Sequence, residues 1–229
     1  MGFFSESLHT ALGLILTMDQ EVYTTVWTSL YIAVWSTLLA SLLGIPAGII
    51  IGTGTFPLKG ALTTFLNTLM ALPTVVVGLI VYAIISRQGP LGQYGLLFTP
   101  KAMVIGQTIL AIPIIANYTL STVEGADKRI LPTALTLGAG PLQGVLQLVR
   151  EERFGVMAAV IAGFGRVIAE VGVAMMLGGN IRGYTRTMTT AIAMETSKGE
   201  FAFGLALGTI LMAVAFFVNM ALNILQQRR

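Results

Sequence analysis

ILPTALTLGAGPLQGVLQLV, Ile130 to Val149, runs for 20 residues without a charge, and whether it crosses a membrane decides the fold. Twenty apolar residues are about what a helix needs to span the ~30 Å hydrocarbon core. Gly138, Gly140 and Pro141 interrupt this stretch at its centre and leave eight uninterrupted residues on either side. A half that short rises only ~12 Å at 1.5 Å per residue, less than half the core. Arg129 and Arg150 bracket the segment, and Lys128 and Arg153 sit just beyond. It therefore reads as a helix–turn–helix in a loop outside the membrane, and not as a span.

The flanking sequence leaves little doubt about the class. The chain is 55% hydrophobic and 10% charged, with a mean hydropathy of +0.84, against roughly 25% charged residues in an average soluble domain. Val22–Leu58, Gly60–Ser86, Ala102–Val123 and Phe201–Gln227 carry no charge at all, and each is longer than a span requires. A fifth run, 154–180, is broken only by Arg166 and Glu170. The expected fold is an all-α polytopic membrane protein with five transmembrane helices, at about 22–54, 60–86, 102–123, 154–180 and 201–226. Residues 22–229 form one transmembrane domain, with a loop over 124–153. Pro46, Pro73 and Pro113 each fall inside a span and mark expected kinks.

Residues 1–21 have no positive n-region and no small-residue cleavage site, so they do not read as a signal peptide. Phe4, Leu8, Leu12 and Ile15 recur at helical spacing, which predicts a short amphipathic helix in the membrane interface. A frayed start to the first span is the alternative. His9, the one histidine, falls on the polar side of that helix and reads as a surface residue.

Several chemistries are excluded. There is no cysteine, so disulfides and thiol nucleophiles are out and Cys/His metal sites nearly so. No G-x-x-x-x-G-K-[ST] phosphate cradle occurs, so any ATP hydrolysis belongs to another chain. A net charge of +3 bears on orientation and gives no reason to expect nucleic acid. With the 124–153 loop and the C-terminus in the cytoplasm, that side holds Lys59, Lys128, Arg129, Arg150, Arg153, Arg228 and Arg229. The other side holds Arg87, Lys101, Arg182, Arg186 and Lys198. The bias predicts an outside N-terminus, whose tail carries no Lys or Arg, and a cytoplasmic C-terminus.

The loop itself is about 30 residues long and apolar, whereas ordinary connections are short and polar. A short helix projecting from a membrane domain can enter a groove on a soluble partner, and Ala134, Gly138 and Ala139 would allow close backbone approach. The T-L-G-A-G run over 136–140 resembles the coupling-helix signature E-A-A-x-x-x-G of permease subunits of binding-protein-dependent ABC importers. Gly138 matches the glycine and Ala134 the second alanine; Pro132 stands at the glutamate position and Thr133 at the first alanine. A second stretch, GRVIAEVGVAMMLGGNIRGYTRTMTTAI from Gly165 to Ile192, resembles the G-R-A-x-x-E-x-G-A…A-G-N…T-x-T region of molybdate- and tungstate-type permeases. Its Gly-Gly-Asn-Ile-Arg-Gly and Thr-Met-Thr-Thr-Ala-Ile runs are most similar to the tungstate branch.

The resemblance implies an ABC importer permease (MetI-like) fold and import of an oxyanion, tungstate first, across a prokaryotic cell membrane. It implies a non-catalytic subunit that forms a homodimer, with two copies of a cytoplasmic ATP-binding cassette subunit and an extracytoplasmic oxyanion-binding protein. ATP and Mg would be bound by the ATPase partner, and no cofactor or metal by this chain. Pro132, Thr133, Ala134, Gly138, Ala139 and Gly140 are then the ATPase-coupling residues. Molybdate or sulfate are the alternative cargoes. A secondary carrier or channel is the alternative class, and a membrane enzyme is disfavoured by the lack of a catalytic constellation.

Two groups of residues remain candidates for the substrate path. Arg166 and Glu170, four residues apart, share a helix face near mid-membrane. Intramembrane charges usually pair with one another, which favours a structural lock over a substrate ligand. Their Arg-then-Glu order is the weaker one within a helix and suggests further partners elsewhere. The second group is Asn180, Arg182, Thr185, Arg186, Thr187 and Thr189, which could offer hydroxyl, amide and guanidinium donors to a tetrahedral oxyanion. Composition alone allows a solvated outer loop equally well.

Overall fold

The Asp19 carboxylate accepts the backbone N–H groups of Glu21 and Val22 and so caps the start of the longest helix. That helix is α2, Gln20–Thr53, and it is preceded by α1, Gly2–Leu16. The computed structural model describes residues 2–227, with the side chains of residues 2–4, 222 and 225–227 left outside the description. The remaining elements are α3 (Lys59–Met70), α4 (Thr74–Ile85), a 3-10 turn (Gly92–Tyr94), α5 (Pro100–Gly125), α6 (Ile130–Thr136) and α7 (Pro141–Glu151). They are followed by α8 (Arg153–Ile168), α9 (Gly172–Gly178), α10 (Met188–Lys198) and α11 (Phe201–Gln227). No strand occurs among the described residues.

The core is built on α2 and α5, which share the most extensive interface. Gly44, Gly48 and Gly52 recur every four residues along α2 and bring it onto α5. A Cβ on Gly48 would lie 2.4 Å from the Ala116 carbonyl oxygen, and one on Gly44 would lie 3.1 Å from that of Ile112. Ser36 meets Val104, Gly44 meets Ile112–Ala116, and Gly52 meets Val123, so the two helices run parallel. Because they do, the α3–α4 segment between them must return across the same thickness. Lys59 ties its start to the exit end, bonding the Gly52 carbonyl at 2.9 Å and the Glu124 carboxylate at 2.9 Å.

Among the described residues, three helices, α2, α5 and α11, are long and apolar enough to cross a membrane unbroken. The predicted 60–86 and 154–180 spans are each two helices: α3 and α4 meet at 92°, and α8 and α9 at 59°. Counting each bent pair as one crossing gives the five expected. Pro73 is the cause of the first break, since it lacks an N–H and sits extended at ψ 124 before α4. Pro46 and Pro113 lie inside continuous helices, so they do not break their spans. The second break carries no proline. Ala169–Val171 leave the helix, and Glu170 turns its side chain back to bridge the gap.

α1 packs against α11 through Ser7 and Ala11, both buried. Of the predicted apolar stripe, Leu8 and Leu12 are exposed and Ile15 half-buried, while the Phe4 side chain lies outside the described residues. Leu16 also projects outward, whereas Leu14 packs against the core, so the helix carries an outward apolar face of the kind an interfacial helix uses. His9 is exposed, as expected.

Candidate functional site

Arg166 and Glu170 close on one another at 2.9 Å despite their unfavourable order. The reason is local. Glu170 lies beyond the end of α8, in the unwound segment, so its side chain is free to reach back one turn. Its second oxygen accepts the Val173 N–H at 3.2 Å, which satisfies one of the free amides at the start of α9. Glu170 is 3% exposed, whereas the Arg166 side chain is 39% exposed. Gly163 beside it presses on Ile115, and Gly172 on Thr74, so two of the three flanking glycines admit close neighbours; Gly165 meets nothing.

The segment after α9 does not form the outer loop that composition allowed. Gly179 and Asn180 reverse the chain in left-handed conformations, at φ 68 and φ 52. The polypeptide then runs back into the bundle, where the Met188 N–H donates to Ser29 Oγ at 2.7 Å. Ser29 lies nine residues into α2, ~13 Å from its start at 1.5 Å per residue. From there α10 climbs out again to Gly199, whose φ of 88 ends it. Asn180, Thr185, Arg186, Thr187 and Thr189 are all buried, and only Arg182 of the predicted group is exposed.

The threonine hydroxyls of this re-entrant hairpin are engaged within the protein, whereas the buried Arg186 Nε has no partner among the described residues. Thr185 donates to the Gly178 carbonyl and accepts the Ile181 N–H. Thr189 donates to the Glu170 carbonyl at 2.7 Å, and Thr190 reaches Asn180 Oδ1 at 2.9 Å. Thr187 caps α10, its backbone N–H bonding Thr190 Oγ1. These side chains fasten the hairpin to the break in the α8–α9 span.

Arg186 anchors the same hairpin from above. Its guanidinium contacts Glu21 at 3.0 Å and Glu195 at 3.2 Å, and it is 7% exposed. Arg182 also pairs with Glu21, and Lys198 with Glu195 at 3.1 Å. A cleft of about 350 Å³ opens beside this network, bordered as well by Glu200. Sequence reading missed Glu21, whose contacts span 161 and 165 residues, and also Glu195, although its i,i+3 spacing to Lys198 was a local signal. It also missed Thr74 and Gln107. Gln107 is 2% exposed, with its Oε1 unpartnered, and faces a cavity of only about 10 Å³ together with Ser29, Thr187 and Thr189.

At the opposite end, the predicted helix–turn–helix is present as α6 and α7. Gly138, at φ 90, ends α6: its N–H donates to the Leu135 carbonyl, and the Ala139 N–H to that of Ala134. That pair of bonds around a left-handed residue is a Schellman closure, which favours glycine. Nothing lies within 4 Å of a Cβ placed on Gly138, so no collision inside this chain explains the residue; its backbone does. Gly140 precedes α7 and is held by Gln143 Oε1 at 2.8 Å. Pro132 and Thr133 are exposed on α6, Ala134 is half-buried, and Leu137 and Leu142 project at 82% and 73% exposure. An open groove of about 770 Å³ runs between the two helices, lined by Thr133, Ala134, Leu137 and Ala139 among others. Asp127 and Arg129 flank it, and the hydrogen bonds from Arg129 hold the Asp127 carboxyl down to about 2.

A bundle of helical crossings, two of them broken, with an apolar helix pair projecting from one end, has the architecture of a membrane transport component. The chain belongs to the family of binding-protein-dependent transport system inner membrane components, whose model matches residues 44–229. It is 38% identical over 227 residues to the tungstate uptake system permease protein of Peptoclostridium acidaminophilum, covering 99% of this chain and 100% of that one. To the tungstate permease of Campylobacter jejuni it is 41% identical over 219 residues, covering 96% and 92%. The molybdenum transport permease of Azotobacter vinelandii is more distant, at 29% over 202 residues, 85% of this chain and 89% of that one. In fold, the chain is similar to the permease of an inward-facing methionine ABC transporter, with a TM-score of 0.76, 17% identity, and coverage of 93% and 97%.

Proposed function

We propose that this chain is the non-catalytic membrane subunit of an ATP-driven importer that carries tungstate into a prokaryotic cytoplasm. End-to-end similarity to two tungstate permeases is the observation that carries the substrate assignment. Molybdate is the second reading, favoured by the more distant similarity to a molybdenum permease and by the like charge and shape of the two anions. The working unit is a homodimer with two cytoplasmic ATP-binding cassette subunits, which supply ATP and Mg, and an extracytoplasmic oxyanion-binding protein. The lipid membrane is the remaining partner, and nucleic acid has no part.

The Lys/Arg distribution supports an outside N-terminus and a cytoplasmic C-terminus, with α6–α7 on the cytoplasmic side. The exposed Leu137 and Leu142 give the ATPase an apolar contact, and the Schellman turn at Gly138 makes that contact rigid. The ion-pair cleft at Glu21, Arg182 and Arg186 then faces the binding protein. The hairpin residues Asn180, Thr185, Thr187 and Thr189 border the path and hold its shape. Competition uptake tests the substrate: vesicles with the whole complex take up labelled tungstate, and molybdate competes only at a large excess. Equal competition by molybdate would move the assignment to a shared oxyanion importer.

A further inference from the structure

We infer that the surface where the two broken spans meet is an anion subsite on the transport path, with the outward edge of the Arg166 guanidinium as its contact group. This rests on the oxyanion-import reading. Both breaks lie deep in the bundle: Met70 sits against Asn117, well inside α5, and the Arg166 turn follows Gly163, which packs on Ile115. Both are open at the surface of the chain, since Ala71, Leu72 and Pro73 are exposed in one, and Ala169 and Val171 in the other. Non-helical backbone at membrane depth persists only where protein buries it or water lines it. The two breaks are contiguous. A Cβ on Gly172 would touch Thr74 Oγ1 at 2.8 Å and Glu170 Oε1 at 3.3 Å.

The ion pair is asymmetric in a way that a pure lock does not need. Glu170 is buried, with one oxygen on Arg166 and the other on Val173 N–H. Arg166 makes one hydrogen bond, through a single terminal nitrogen, and no other is recorded for it among the described residues. Its remaining N–H groups belong to a side chain 39% exposed at membrane depth. Hydrocarbon offers them no acceptor, whereas a hydrated anion does. The exposed side of α2 is of a different kind: Trp27, Tyr31, Trp35, Leu38 and Leu42 make it apolar. Glu170 beside the guanidinium keeps the local charge near zero, so an oxyanion is held weakly enough to leave.

The chain has no cysteine, so a single introduced one reports on its own position. Ala71→Cys, Ala169→Cys and, as a control on the apolar side of α2, Leu38→Cys are made in the whole complex in vesicles and treated with the anionic, membrane-impermeant thiol reagent MTSES. We expect Ala71→Cys and Ala169→Cys to react at least tenfold faster than Leu38→Cys, and transported anion to slow the reaction at Ala169→Cys. Reaction at the control rate at both positions overturns the inference. A second arm uses Arg166→Gln with Glu170→Gln, which leaves no stranded charge. Uptake by the folded double variant should fall at least tenfold at low anion concentration, and unchanged uptake overturns Arg166 as the contact. Should the double variant not fold, the labelling arm still decides. Should the unsubstituted complex import another anion, the function reading fails alone, and both arms are run with the anion it does take up.

Discussion

Glu170 engages both of its carboxylate oxygens, while Arg166 uses only one of its guanidinium nitrogens, and this imbalance sets what each substitution should do. Arg166→Met leaves a carboxylate 3% exposed with only an amide partner. Removing one member of a fully buried pair costs ~3–5 kcal/mol; here the loss should be smaller, because Arg166 is partly exposed. Thermal unfolding of Arg166→Met, Glu170→Gln and the double variant measures the coupling, and the double variant should recover part of the combined loss. Strictly additive losses would mean that the pair does not interact. This contact was legible in the sequence because four-residue spacing on a helix brings side chains together. The Glu21–Arg186–Glu195 network was not, since its members meet only after the chain has turned back into the bundle.

At the scale of elements, the glycines of α2 decide how closely the central pair can pack. Gly48→Ala would place a methyl 2.4 Å from a backbone oxygen and 2.7 Å from Thr119 Cβ, and neither can rotate aside. We expect a loss of ~1–3 kcal/mol, as for other overpacked interfaces. Gly60→Ala, with nothing within 4 Å of the new methyl, is the control. Equal melting temperatures for the two variants would contradict the α2–α5 register. Hydropathy located the five apolar runs, which the structure resolves into three long helices and two bent pairs, but not the two breaks. Pro73 announced a kink without its 92° angle, and Ala169–Val171 carry no breaker at all. At the second break Glu170 bonds Arg166 four residues back and the Val173 N–H three residues on, local contacts that hydropathy does not register. The burial of the threonine hairpin was not legible, because polar composition looks the same in a solvated loop and in a buried, internally bonded turn.

The projecting helix pair belongs to the same scale. Gly138→Asp forces a side chain onto a backbone at φ 90, where L residues are strained, and should distort the α6–α7 turn without touching the spans. Membrane insertion should be normal, ATPase recovery with the tagged chain should drop severalfold, and uptake should be lost. Wild-type ATPase recovery and uptake would remove this turn from the coupling path. Its position was legible from glycine and proline at the centre of an otherwise span-length run. Its leucines, 82% and 73% exposed at Leu137 and Leu142, were not.

For the whole molecule, the proposed function joins an ATPase contact at α6–α7 to a path bordered by two broken spans, in a chain with no phosphate cradle of its own. Under the proposed function, work done on the projecting pair reaches the breaks through α8, whose Gly155 and Gly163 pack directly on Thr122 and Ile115 of α5. The most direct measurement is uptake of labelled tungstate into sealed vesicles that hold this chain, its ATPase and its binding protein, with ATP on the cytoplasmic side or withheld. The account predicts accumulation against a gradient with ATP and none without it, and none when the ATPase is omitted. Accumulation against a gradient by this chain alone, with no ATPase present, would contradict it.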